Sequence, residues 1–112
     1  MIKSISLIRR KPGLTREEFV RHYEEVHAPL ALSCLPGLRK YVRNYVTADE
    51  IGSPTDFDVV SEFWYESTKD IKASLSFYRS AAGKLLRDDE EKFMDRDSIR
   101  AYRVLEHGGE FA

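Results

Sequence analysis

The chain has 112 residues, of which 42% are hydrophobic and 12% aromatic, and its 18 basic and 19 acidic residues leave a formal charge of −1. That length fits one domain over residues 1–112, with a real core and no room for a second. The charges are interspersed, so no basic patch is offered to nucleic acid or an anionic membrane, and no apolar run is long enough for a transmembrane helix. Cys34 stands alone, which rules out an internal disulfide and any cysteine-rich metal site. The opening MIKSISLIRRKPG is too poor in apolar residues for a secretory signal, so a cytoplasmic location is expected.

In chain order, Lys3 to Arg9 alternates, with Ile5 and Leu7 on one side and Ser4, Ser6 and Ile8 on the other, which predicts a first strand. Lys11-Pro12-Gly13 is a turn. Thr15 with Glu18 three residues on is a capping-box signal, and Phe19, Tyr23, Val26, His27 and Leu30 then recur at helical spacing. Pro29 cannot donate to residue 25 and disfavours the α conformation at Ala28, so the helix should bend or break beside His27. After Leu35-Pro36-Gly37, the stretch Leu38–Val46 predicts a second strand, with Tyr41, Arg43 and Tyr45 against Val42, Asn44 and Val46. Residues 47–56 read as a hairpin connection or a mobile flap.

Asp58–Glu66, DVVSEFWYE, is the strongest strand signal. Ser67 or Thr68 should cap a short helix, and a second helical piece is predicted from about Tyr78 to Met94, its apolar side made by Ala81, Leu85, Leu86, Phe93 and Met94. The run Asp88-Asp89-Glu90-Glu91 reads as a solvated face. Ser98–His107 alternates again as a fourth strand, and the GGEFA tail is either loose or docks on a partner chain through Phe111.

The order β-α-β-β-α-β gives an α+β, ferredoxin-like fold, a four-stranded antiparallel sheet with helices on one face. The third strand carries aromatic or apolar residues on both sides, Phe63 and Tyr65 against Val60 and Trp64. A sheet apolar on both faces needs a second cover, and the same sheet of another copy is the most economical one, so a homodimeric α+β barrel is expected.

RRKPGLTREEFVRHYEEVHAPL, LPGLRKYVRNYV, SEFWYES and AGKLLRDDEEKFMD together resemble the EthD family in order and spacing, over nearly the whole chain. The resemblance implies a dimeric α+β barrel. Relatives include muconolactone-type isomerases and polyketide-pathway dehydratases or decarboxylases, many working without metal or organic cofactor, so no cofactor is expected and fold alone does not choose among these activities. A small hydrophobic or aromatic ligand is the expected partner. Two function classes follow. One is an enzyme isomerising, cyclising or dehydrating an aromatic-derived lactone or polyketide-like molecule. The other is a non-catalytic barrel that binds a hydrophobic metabolite or supports a partner oxygenase.

His27 is the leading candidate, because imidazole takes and returns a proton near neutral pH; the bland alternative is a buried ring donating to a carbonyl freed by Pro29. Tyr23, one turn earlier, either hydrogen-bonds a substrate oxygen or anchors the helix. Glu62 is a carboxylate on a largely apolar sheet face, so it should either pair with Arg43 or Arg103, or orient His27, or act as a second acid/base. Trp64, Tyr41, Asn44, Tyr45 and Phe19 are the candidate pocket-lining residues, with strand parity left open. His22 is expected in solvent and Cys34 as a small buried hydrophobe. No metal site is expected, since His22 and His27 are five apart and no HExxH or CxxC occurs. A haem would need His27 or His107 as its axial ligand, and nothing demands one.

Overall fold

In a computed structural model, which describes residues 1–47 and 56–111, β1 (Ile2–Ile8) sits inside a four-stranded sheet of order β2-β3-β1-β4. Its neighbours are β3 (Val59–Tyr65) and β4 (Arg100–Val104), and β2 (Leu38–Tyr45) pairs with the far edge of β3; every pairing is antiparallel. The 47–56 connection, apart from its ends, lies outside the described residues. Alternation settles the two faces. Ser4, Ser6 and Ile8 of β1 share a side with Ser61, Phe63 and Tyr65 of β3 and Tyr41 of β2, and that side takes the helices. Ile5, Leu7, Val42, Val60, Glu62 and Trp64 look the other way. This is the α+β ferredoxin-like architecture read from the sequence.

The first helical segment opens as its capping box dictates. Thr15 Oγ1 accepts from the Glu18 amide at 3.1 Å, and the Glu18 carboxylate accepts from the Thr15 amide at 2.9 Å. α1 (Arg16–His22) then widens into a π turn over Tyr23–His27 before α2 (Ala28–Cys34) resumes with Pro29 in its first turn. The expected irregularity at Pro29 is therefore an i→i+5 bulge rather than a break. A proline has no N–H to give residue 25, and the Ala28 amide reaches back to the Tyr23 carbonyl instead.

The second helical region departs further from expectation. Ser67 caps a 12-residue helix, α3 (Thr68–Arg79), so Tyr78 ends this helix rather than beginning the next. α4 (Lys84–Phe93) follows after a tight corner at Ser80–Gly83. Ala81 and Leu85, expected on the apolar side, are exposed, while Leu86, Phe93 and Met94 are buried. The end of α4 is stitched to the end of β1, with the Lys11 amide donating to the Phe93 carbonyl at 2.8 Å and the Asp95 amide to the Arg9 carbonyl at 2.9 Å. Ile8, Phe19, Tyr23, Val59, Phe93 and Met94 form the core between helices and sheet. Burying one such large side chain contributes about 1.5–3 kcal/mol. Among the described residues, no helix is long and apolar enough to cross a membrane. Phe111 in the tail is fully exposed.

Candidate functional site

Between the π turn, α3–α4 and the helix-facing side of the sheet lies a cavity of about 250 Å³. Its walls are mostly apolar, with Leu35, Phe63, Leu86, Met94 and Ile99 among them, and a few polar groups converge on it.

His27 is the central one. The ring is 4% exposed, and its Nδ1 lies 2.9 Å from Asp89 Oδ2. A carboxylate only accepts, so Nδ1 carries the hydrogen and the neutral ring presents its lone pair at Nε2. This arrangement replaces the expected alternative of a bond to a carbonyl freed by Pro29. Nε2 is 3.9 Å from Glu90 Oε2, too far for a direct hydrogen bond but close enough for one shared atom between them. Burial lowers the His27 pKa from its ordinary 6.5, against the opposing pull of Asp89. Burial raises the Glu90 pKa from its ordinary 4.5, opposed by the hydrogen bond from Tyr78 and by Arg96, whose Nε is 3.3 Å away. The two proton affinities thus move toward each other, which suits a pair that passes a proton through a common partner.

Asp89 and Glu90 overturn the expectation of a solvated acidic run. Asp88 and Glu91 are exposed, but Asp89 and Glu90 are 4% and 9% exposed. The signal was the phase of the helix: Leu86 and Phe93 lie three or four residues to either side, so both carboxylates belong to the buried stripe. His22, expected in solvent, is half-buried as well. Its Nε2 donates to Asp89 Oδ1 at 2.9 Å, and its ring packs 4.5 Å from that of Phe93. Asp89 therefore ties two histidines of one helix to α4. Cys34 is half-buried rather than part of the core.

Tyr23 and Tyr41 also line the cavity, and with Ser61 they form a chain of hydroxyls. Tyr23 Oη meets Ser61 Oγ at 2.7 Å and Tyr41 Oη in a shorter contact. Burial pushes Tyr23 up to about 12. Phe19 and Tyr45 sit one layer behind, edge-on to Tyr23 with ring centroids 6.0 Å away in each case. Tyr45 donates to Glu24 rather than to the cavity.

The remaining candidates are not brought here. Glu62, Trp64 and Asn44 are on the opposite face of the sheet, so Glu62 neither orients His27 nor serves as its acid/base partner. Its carboxylate pairs with Lys3 at 2.5 Å and accepts from Asn44 at 2.7 Å, in place of the expected Arg43 or Arg103. These partners hold its pKa below the usual carboxylate range. Arg43 is engaged on the helix side with Glu24, and Arg103 reaches Thr68. Trp64 lies between the ammonium groups of Lys3 and Lys40, 4.8 and 5.0 Å from its ring, and cannot stack on a ligand in the cavity.

A family model described as the EthD domain matches residues 11–97. No curated protein sequence matches the chain. Among solved structures, an EthD family protein from Bacillus halodurans C-125 superposes with a TM-score of 0.68 at 21% identity, over 96% of this chain and 100% of that one. An EthD-like protein from Ralstonia eutropha JMP134 gives 0.67 at 16% identity, over 96% and 95%. A protein from Bacteroides fragilis NCTC 9343, described as dimeric, of unknown function and of ferredoxin-like fold, gives 0.62 at 9% identity, over 92% and 93%. At these identities the likeness is one of fold.

Proposed function

The chain belongs to the EthD family, and from that premise we propose that it is a small cofactor-independent enzyme that moves a proton on a ring-bearing substrate, isomerising, cyclising or dehydrating an aromatic-derived lactone or polyketide-like molecule. The observation that carries this reading is the buried His27, its Nδ1 held by Asp89 and its Nε2 left 3.9 Å from Glu90 at the edge of the cavity. Nε2 removes a proton from a carbon next to a carbonyl, and the C–H electron pair shifts toward the carbonyl oxygen. Glu90 in its acid form returns a proton at a second position, either to carbon in an isomerisation or to a departing hydroxyl in a dehydration. The imidazolium then gives its proton back to the Glu90 carboxylate. The apolar walls favour a ring and keep competing water away.

The protein works as a homodimer in this proposal, the apolar side chains of its helix-free sheet face covered by those of a second copy, as the description of the Bacteroides fragilis neighbour as dimeric supports. A cytoplasmic setting, where the lone Cys34 stays reduced, completes it.

The test uses aryl-substituted β-diketones and butenolides in D2O, with deuterium entry at the enolisable carbon followed by NMR. Wild type should catalyse exchange. His27→Asn should slow it about 10²–10⁴-fold, while Asp89 keeps His22 and the fold stays intact by circular dichroism. Exchange undiminished in His27→Asn ends the assignment. Tight binding of these compounds with no exchange would favour the ligand-binding barrel instead.

A further inference from the structure

The three hydroxyls of Ser61, Tyr23 and Tyr41 carry three protons, but the chain they form has only two contacts. One O–H must therefore be donated elsewhere. Ser61 is fully buried and lies outside the cavity wall, whereas Tyr23 and Tyr41 line the cavity. Tyr23 sits in the middle of the chain with both neighbours in contact. Tyr41 is the end that borders the cavity, and when Ser61 donates to Tyr23 and Tyr23 to Tyr41 its proton is the one left to point at an occupant.

The Tyr41 ring is also held in place. Phe63 stacks on it with centroids 4.6 Å apart and planes at 24°, and the Arg43 guanidinium lies 4.8 Å over the ring centre. Arg43 is itself fixed by two bonds to the Glu24 carboxylate, at 2.8 and 2.9 Å. A cation over the ring favours negative charge on the phenol oxygen and so strengthens its O–H as a donor. Burial nevertheless keeps Tyr41 from ionising in the ordinary pH range, so it remains a donor throughout. A fixed donor aimed into an apolar hollow recognises an acceptor oxygen, and it does so most strongly when that oxygen is gaining negative charge.

Resting on the proton-transfer reading above, we propose that the Tyr41 hydroxyl binds the carbonyl oxygen of the substrate and stabilises its enolate, which sets the ligand class as planar ring compounds bearing an enolisable carbonyl or the phenol-like enol derived from it. Ser61 and Tyr23 are positioning residues that orient this donor.

The experiment measures binding of 2-naphthol and of naphthalene by equilibrium dialysis. In wild type 2-naphthol should bind more tightly than naphthalene. Tyr41→Phe, which keeps the stacked ring, should weaken 2-naphthol about tenfold, the value of one such hydrogen bond. It should leave naphthalene within about twofold. Equal affinity of wild type and Tyr41→Phe for 2-naphthol overturns the proposal. If Tyr41→Phe does not fold, wild type decides alone: 2-methoxynaphthalene, whose oxygen only accepts, must bind more tightly than 2-ethylnaphthalene of the same shape, and equal affinity overturns it. Tyr41-dependent binding of 2-naphthol with no deuterium exchange on carbonyl probes would uphold the oxygen site while removing the catalytic reading.

Discussion

Two side chains with opposite charge preferences share the cavity, and burial perturbs each against its own charged form. For activity, the base limb should rise as His27 loses its proton, with a midpoint below 6.5, and the rate should fall again above the raised pKa of Glu90. Glu90→Gln should abolish the alkaline limb and leave the acidic one, as read from the pH profile of deuterium exchange. Stability carries the same information with two signs. Because the folded pKa of Glu90 is raised, the folded chain takes up that proton before the unfolded chain does, so its contribution is gained on acidification and lost as pH rises through the raised value. His27 runs the other way: its folded pKa is lowered, the unfolded chain protonates first, and stability is lost as pH falls below 6.5. The melting temperature of Glu90→Gln relative to wild type should therefore increase as pH climbs above 4.5, in melts taken from about pH 4 to 8. A constant difference would mean that Glu90 titrates alike in both states.

At the scale of elements, the corner between α3 and α4 is what brings Tyr78 and Glu90 together. Gly83 has an ordinary negative φ, so it is there for space. A Cβ at that position would come within 2.3 Å of the Phe77 carbonyl oxygen and 2.4 Å of that of Tyr78. Arg87 braces the same corner by donating to the carbonyls of Tyr78 and Ser80. Gly83→Ala should cost about 1–3 kcal/mol in denaturant unfolding and loosen the Tyr78–Glu90 contact. What the sequence disclosed was decided by local rules: the Thr15–Glu18 cap, the period-two strands and the irregular backbone at Pro29. Period two assigns Tyr41 and Tyr45 to one face and Asn44 to the other. It does not say which face meets helices, and so Glu62 and Trp64 were legible as a pair but not as residues remote from His27. Asp89 and Glu90 were missed for a different reason: a run of four acids suggests solvent by composition, while the spacing from Leu86 and to Phe93 assigns the middle two to the interior.

At the scale of the molecule, the sheet face without helices is half-buried at best and carries Ile5, Leu7, Val42, Val60 and Trp64 around the Lys3–Glu62 pair. The Trp64 indole nitrogen is already shielded from water and has no acceptor among the described residues. Such a face suits a two-fold partner, and Val60, between Leu7 and Asn44 in register, is one of its apolar members on an inner strand. Light scattering should give twice the 13.0 kDa chain mass for wild type and the single mass for Val60→Lys, with the circular dichroism of the two alike. A wild-type chain that stays monomeric at micromolar concentration would refute the paired barrel.

The widened turn over Tyr23–His27 amounts to one surplus residue threaded into an otherwise regular spiral. Successive α-helical residues are about 100° apart around the axis, and the wide turn absorbs the surplus one, so the residues on either side keep the phase of an unbroken helix. Excising Glu25, an exposed residue inside that turn, would close it to a regular spiral and leave Tyr23 upstream and the α2 residues downstream in step. A one-codon deletion at this spot would therefore spare both flanks and take away only the wide turn's own course of backbone beside His27.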